Sequence, residues 1–123
     1  MGAVIVIPGT MPGLNEIIDE ARTNRYKSAE QKETYTRLVA WYAKKAKIPK
    51  MVKVSLNITW YEPHKKRNPD NVQAAVKYIW DGLVNAGVLI NDGWGQQGET
   101  RHIMRVDKLR PRVEIEIKEV DPE

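Results

Sequence analysis

The sequence predicts an α+β fold, a single domain in which a small mixed β-sheet of about four strands packs against two long helices. Its 123 residues fit one domain with one hydrophobic core. Two kinds of apolar spacing occur along the chain, an alternation typical of strands and a recurrence every three or four residues typical of helices. These segments follow one another without internal repeats, which indicates one mixed architecture over residues 1–123.

Four segments are predicted to be strands. Ala3 to Ile7 is a run of mostly β-branched residues that ends at Pro8-Gly9. Met51 to Tyr61 alternates apolar and polar residues, which is typical of a half-buried strand. Thr100 to Asp107 and Arg112 to Val120 are separated by only four residues, so we expect them to pair as a hairpin.

Three segments are predicted to be helical. A short helix from Leu14 to about Arg22 precedes a long one that starts near Ser28 and ends before Pro49. A second long helix is expected from Pro69 to Ala86, because Gly87 follows it directly. Five apolar side chains are expected to form its core face: Val72, Val76, Ile79, Leu83 and Ala86.

Composition excludes several kinds of chemistry. The chain has no cysteine, which rules out disulfides, a thiol nucleophile and a zinc–thiolate site, and it has only two histidines. No apolar run approaches the ~18 residues of a membrane span, and the start lacks the pattern of a signal peptide. We therefore expect a cytoplasmic protein whose chemistry depends on carboxylates, amides, lysine and arginine.

Positive charge is concentrated in one stretch. The formal net charge is +4 and the sequence pI is near 9.3, which permits a polyanionic partner without requiring one. Residues 44–67 contain eight basic residues and a single acidic one, Glu62. A solvated lysine-rich face is the alternative interpretation of this stretch.

The second long helix also carries a line of charged side chains. At ~100° per residue, Asp70, Lys77 and Asp81 fall on the face opposite the core. Asp70 and Asp81 would lie ~16 Å apart along the axis, too far to share one metal ion. A second carboxylate near Asp70 must therefore come from elsewhere, and Asp92 in the Asn91–Gly93 turn is the candidate.

Each of these features also has a purely structural interpretation. Asn68–Asp70 has the residues of an ordinary helix start, with Asn as the N-cap, Pro at the first position and Asp near the positive end of the dipole. Asn91–Gly93 is an equally good turn. Lys77 and Asp81, four residues apart, could form a surface ion pair that stabilises the helix slightly.

In combination, however, these residues resemble the RusA family of Holliday-junction resolvases. The resemblance rests on Arg67–Asn71, then Lys77, then Asp81–Val88 and Asn91-Asp92. It implies a metal-dependent, structure-selective endodeoxyribonuclease of DNA recombination and repair. Such an enzyme would act as a homodimer in which each subunit nicks one of two opposed strands of a four-way junction.

The resemblance also assigns roles to individual residues. Asp70 and Asp92 would be catalytic and would bind Mg²⁺, with Mn²⁺ as a substitute, and Lys77 would be the catalytic lysine. Asn68 stands where the family usually has an aspartate, so an amide oxygen would be the third ligand. The helix between the Asp-Asn pair and the lysine is about one turn longer than in the best-known member. Two residues would support this site: Asp81 and Asn71.

The implied partner is four-way or branched DNA, bound through its phosphates. The residues predicted to contact it are Lys65, Lys66, Arg67, Arg22, Arg25, Lys44 and Lys45. Compact members of this kind suggest a phage or prophage gene in a bacterial host. Two alternatives stay open: a junction-binding protein of the same fold whose catalysis is impaired by Asn68, and a small structural domain whose aspartates only cap and turn.

Three aromatic residues lie close to these polar positions. Tyr78 and Trp80 flank the charged face of the helix and are predicted to contact a second subunit. Trp94 follows the Asn91–Gly93 turn. A place in the core or in a dimer contact is the first interpretation of Trp94, and stacking on an unpaired base of a junction is the second.

Overall fold

A computed structural model describes residues 2–122 of the chain. Four strands and four helices follow one another along these residues. The elements are β1 (Gly2–Pro8), α1 (Leu14–Thr23), α2 (Arg25–Lys45), β2 (Val54–Glu62), α3 (Pro69–Gln73), α4 (Val76–Asn85), β3 (Gln97–Val106) and β4 (Arg112–Glu119). The predicted α+β class with a small mixed sheet is confirmed.

The sheet has the order β1-β4-β2-β3, so the predicted hairpin between the last two strands is wrong. β4 lies between β1 and β2 and is antiparallel to both, whereas β3 is parallel to β2 on its other side. Residues 107–111 pass over the end of β2, where the Asp107 N–H donates to the Glu62 carbonyl over 2.8 Å. Two strand spacings are about 10 Å, which five residues can span.

The alternation in β2 buries one face of the sheet. Val54, Leu56, Ile58 and Trp60 are buried, and the residues between them are only partly covered. The strand begins at Val54 rather than at Met51, because Val52 precedes the ladder and is exposed. The helices pack on this buried face, and the hydrophobic core lies between them and the sheet. The alternation of apolar and polar residues in β2 predicts such a one-sided core.

The predicted single helix over residues 69–86 is interrupted. α3 ends at Gln73 and is followed by a turn at Ala74–Ala75. In this turn the hydrogen bonds join residues three apart, as in a 3₁₀-helix. The Ala75 N–H donates to the Val72 carbonyl over 3.4 Å, and the Tyr78 N–H donates to the Ala75 carbonyl over 3.0 Å. Such a tight turn breaks the regular 100° progression. The prediction of one uninterrupted helix from Pro69 to Ala86 is therefore wrong.

α4 is buried over more of its circumference than its apolar pattern predicts. It packs against both the sheet and α2, and a Cβ on Gly82 would lie only 2.4 Å from the Val39 Cβ of α2. Tyr78 and Trp80 are buried in this layer, and the Tyr78 hydroxyl donates to Gln31 Oε1 over 3.2 Å. The prediction that both aromatics face a second subunit is wrong, because α2 covers Tyr78 and the core encloses Trp80.

Within residues 2–122, none of the helices is both long enough and apolar enough to cross a membrane.

Candidate active site

Lys77 lies between two carboxylates on the surface of α4. Its Nζ is 3.1 Å from Asp81 Oδ1, one turn later in the same helix, and 3.5 Å from Asp92 Oδ2 in the loop that follows. The Lys77 side chain is 63% exposed, whereas those of Asp81 and Asp92 are mostly covered. These three predicted site residues are therefore brought together.

The neighbouring carboxylates favour the protonated, positively charged form of Lys77. The hydrogen bond to Asp81 is the main reason why the pKa of Lys77 lies above its usual value, and the negative charges of Asp81 and Asp92 add to this effect against partial desolvation of the ammonium. Lys77 is a cation at neutral pH, suited to stabilising negative charge rather than to accepting a proton. Asp81 Oδ2 is buried and has no hydrogen-bond partner within residues 2–122.

The loop that carries Asp92 is held from its backbone. The Gln97 side-chain amide donates to the Asp92 carbonyl over 2.7 Å, and the Gly93 N–H donates to Gln96 Oε1 over 3.0 Å. The Asp92 N–H in turn donates to Asn91 Oδ1. The Asp92 carboxylate is therefore presented by a fixed turn. Gln97 was not predicted, because nothing in the sequence distinguishes it from any other first residue of a strand.

Asn68 and Asp70 lie at the start of α3. Asn68 has the N-cap position, but its side chain makes no capping hydrogen bond. Its amide oxygen is therefore not used in the way that the helix-start interpretation expects. Asp70 is exposed in the first turn of the helix, where its carboxylate is accessible to a ligand.

Asn71 connects α3 to the beginning of α1. Its Oδ1 accepts the Asn15 N–H over 3.1 Å, which satisfies one of the free donors at that helix start. Gly13 makes this approach possible, since a Cβ there would lie 2.6 Å from Asn71 Oδ1. Asn71 thus links α3 to the start of α1.

Arg67, one of the predicted DNA contacts, is engaged within the protein. Its Nε and Nη2 donate to Glu62 Oε1 over 3.0 and 2.9 Å, and its Nη1 donates to the Met11 carbonyl and to Glu16 Oε1. Glu62 is buried, and the Arg67 side chain is only 19% exposed. This cluster fixes the loop before α3. The pairing of Arg67 with Glu62 and Glu16 was not predicted. For Glu62 there was a signal, because a single acidic residue within a basic stretch indicates an ion pair.

The donor atoms suit a hard divalent ion, because they are carboxylate and amide oxygens. Residues 2–122 contain no group of three or more histidine and acidic side chains placed to hold a metal. Asp70 therefore does not form a three-carboxylate cluster with Asp81 and Asp92. Among the predicted ligands, Asp70 and Asn68 at the start of α3 are exposed, and Asp92 is partly covered.

Cationic side chains surround the loop before α3. Lys65 and Lys66 are exposed there, and a cavity of about 500 Å³ beside Asn68 is lined by His64, Lys65 and Arg105, among other residues. Arg105 comes from β3 and was not predicted. The parallel pairing of β3 with β2 brings it to this end of the sheet, where it faces Tyr61 in the ladder.

The remaining predicted DNA contacts lie on the helices. Arg25 begins α2 and Lys45 ends it, so these two are about 30 Å apart along the helix axis. Arg22 is in the last turn of α1, and Lys44 precedes Lys45. The Lys45 ammonium lies 4.9 Å from the centre of the Trp41 ring. The basic residues are therefore spread over the surface rather than gathered in one patch.

Comparison with known proteins places this chain in a class of DNA-cleaving enzymes. A family model described as endodeoxyribonuclease RusA matches residues 8–118, nearly the whole chain. The chain belongs to the RusA family, whose members are Holliday-junction resolvases, and the resemblance seen in the sequence is confirmed. A search of curated proteins found no match.

Proposed function

We propose that residues 1–123 act as one RusA-like endonuclease domain that resolves four-way DNA junctions by paired nicks. The proposal rests above all on the Lys77 ammonium, which is held between Asp81 and Asp92 in a chain that matches the family over residues 8–118. A homodimer would place two such sites on opposed strands. The family relationship also supports a role in recombination and repair of phage or prophage DNA in the bacterial cytoplasm.

The metal in this proposal is Mg²⁺, with Mn²⁺ as a substitute. Asp70, Asp92 and the Asn68 amide oxygen would hold it, because carboxylate and amide oxygens are hard ligands of the kind that Mg²⁺ prefers. When bound, such an ion supplies an activated water and neutralises charge at the phosphorus. The chain positions these oxygens and offers no competing thiolate ligand, since it has no cysteine.

Lys77 is proposed to stabilise the negative charge that develops on the phosphate during cleavage. A positioned cation acts in this way without losing its proton. Asp81 is a positioning residue, because its hydrogen bond holds the ammonium in place over 3.1 Å. Asp92 would then serve both as a ligand and as the second partner of Lys77.

The second candidate is a junction-binding protein with impaired catalysis. Asn68 favours it, since a neutral amide replaces the charged ligand that the family usually has. The exposed basic residues are compatible with either candidate, because phosphate contacts give affinity without cleavage. Cleavage and binding must therefore be measured separately.

The test compares the wild-type protein with Asp92→Asn on a synthetic four-way junction and on a linear duplex of the same sequence, in Mg²⁺ and in Mn²⁺. The proposal predicts nicks in the junction only, lost in Asp92→Asn while binding persists. Asp121→Asn, an exposed aspartate near the C-terminus, is the matched control and should cut normally. If the wild type binds the junction without nicking it, the impaired binder is favoured. If the wild type neither binds nor nicks the junction, both candidates are contradicted.

A further inference from the structure

Trp94 is exposed to an unusual degree. Its side chain is 98% exposed, whereas Trp60 and Trp80 are buried and Trp41 is 54% exposed. An indole is the largest apolar side chain, and leaving it in water gives up the stabilisation that burial would provide. The expectation of a core position for Trp94 is therefore wrong, and the indole is accessible to a partner outside this chain's own core.

The backbone of the loop that carries this indole is held by hydrogen bonds. The Gly93 carbonyl accepts the N–H groups of Gln96 and Gln97 over 3.1 and 3.0 Å, which closes the turn beneath Trp94. Gly93 and Gly95 flank the residue, and a Cβ on Gly95 would meet no other atom within 4 Å. The backbone of the turn is thus held by hydrogen bonds, while the indole that it carries is exposed.

The indole also shares a recess with the candidate active site. A cavity of about 350 Å³ is lined by Asp92, Gly93, Trp94, Gln97 and Gly98. Gln97 holds the Asp92 carbonyl, and the same turn carries Trp94, so the ring and the carboxylate both line this recess. A ligand that contacts the indole therefore lies beside Asp92.

We propose that Trp94 stacks on an unpaired base at the branch point of the DNA and thereby sets the adjacent phosphate against Asp92. This inference rests on the proposed function. Aromatic side chains stack on bases of any sequence, which suits recognition of a shape rather than of a code. A second copy of the chain seated on Trp94 would cover Asp92 as well, whereas a stacked base leaves its own phosphate next to the carboxylate.

The experiment measures quenching of tryptophan emission when the protein, in EDTA so that nothing is cut, binds a four-way junction or a linear duplex. Stacking predicts stronger quenching by the junction, lost in Trp94→Ala and kept in Trp41→Ala. Trp41 is the matched control, because its ring already has Lys45 over it. With Mg²⁺ added, Trp94→Ala should cut the junction about tenfold more slowly or worse, and Trp94→Phe should recover most of the rate.

Two results would overturn the inference while leaving the proposed function intact: quenching and cleavage in Trp94→Ala equal to wild type, or a loss of activity that accompanies dissociation of a dimer in sedimentation. The second would make Trp94 part of a subunit interface. If the wild type neither binds nor cuts the junction in preference to the duplex, the proposed function fails, and this inference fails with it.

Discussion

Two of the clusters in which one cation meets two carboxylates, those around Arg67 and Lys77, differ in burial. In the Arg67 cluster, formed by Arg67, Glu62 and Glu16, the guanidinium makes three side-chain contacts of 2.9–3.1 Å and Glu62 is enclosed. In the Lys77 cluster, formed with Asp81 and Asp92, the contacts are 3.1 and 3.5 Å and the lysine is mostly exposed.

This difference separates a structural group from one that can act on a substrate. A buried charge without its partner costs much stability, whereas an exposed pair contributes little. The planar guanidinium also suits fixed bidentate contacts, whereas an ammonium is a mobile point charge. We therefore propose that the Arg67 cluster stabilises the fold and that the Lys77 cluster serves in catalysis, and the predictions below test that division.

The largest effect is expected from Arg67→Ala. The substitution leaves Glu62 buried and without its cation, so the free energy of unfolding should fall by about 3–5 kcal/mol. Urea denaturation measures this change. Arg37→Ala is the matched control, because Arg37 pairs with Glu33 on an open helix surface and should lose only about 0.5 kcal/mol. Equal losses in the two variants would contradict the structural role of the Arg67 cluster.

Lys77→Ala should show the opposite pattern. Removal of one charge-stabilising group lowers the rate of junction cleavage by about 100- to 1000-fold. The free energy of unfolding should change by less than about 1 kcal/mol, because the ammonium is 63% exposed. Single-turnover cleavage and urea denaturation give the two numbers, with Lys118→Ala as an exposed control. A large loss of stability with a normal cleavage rate would reverse the assignment.

A smaller effect is expected from Asn71→Ala, which removes the acceptor for the Asn15 N–H. The free energy of unfolding should decrease by about 1 kcal/mol, the usual cost of losing such a bond at a helix start. Cleavage should slow as well, because α3 carries Asp70. Asn85→Ala, on the exposed end of α4, serves as the control. Unchanged stability would show that the link between α1 and α3 contributes nothing.

The smallest expected effect is a change of stability with pH, which depends on His102 and not on the Lys77 cluster. Burial lowers the pKa of His102 below its usual 6.5, and its Nδ1 accepts the Trp60 Nε1–H over 3.0 Å. The folded state favours neutral His102, so its contribution to stability is complete above pH 6.5 and is lost as the pH falls through the lowered pKa. Lys77 keeps its charge over this range, because its pKa is raised.

Thermal unfolding between pH 7.5 and 5.5 checks this prediction. The wild type should become modestly less stable on acidification, and His102→Gln, whose amide oxygen can still accept the Trp60 N–H, should lose most of that slope. The same slope in both proteins would show that another group titrates instead.

Much of the fold follows from local periodicity. The alternation in β2 and the apolar spacing over Val72, Ile79 and Leu83 predict the buried faces correctly, since both patterns are set by residues close in sequence. The pairing of β3 with β2 could not be predicted in this way. Alternation shows which side of a strand is buried but not which strand lies beside it.

The candidate site was predictable to a similar depth. Lys77 and Asp81 are one helical turn apart, so their contact follows from spacing. Asp92 was predicted as a partner of Asp70, whereas its observed contact is with Lys77. Contacts across long separations were not accessible: Glu16 and Arg67 are 51 residues apart, and only the folded chain brings them together. The exposure of Trp94 likewise depends on the tertiary structure, because a tryptophan after a turn is more often buried.

The most direct test of the central claim is a map of the cleaved strands when the wild-type protein acts on a four-way junction in Mg²⁺. With both opposed strands labelled, the account predicts paired, symmetric nicks at the branch point and none in a linear duplex of the same sequence. A junction that is bound but left intact, or a duplex cut as fast as the junction, would contradict it.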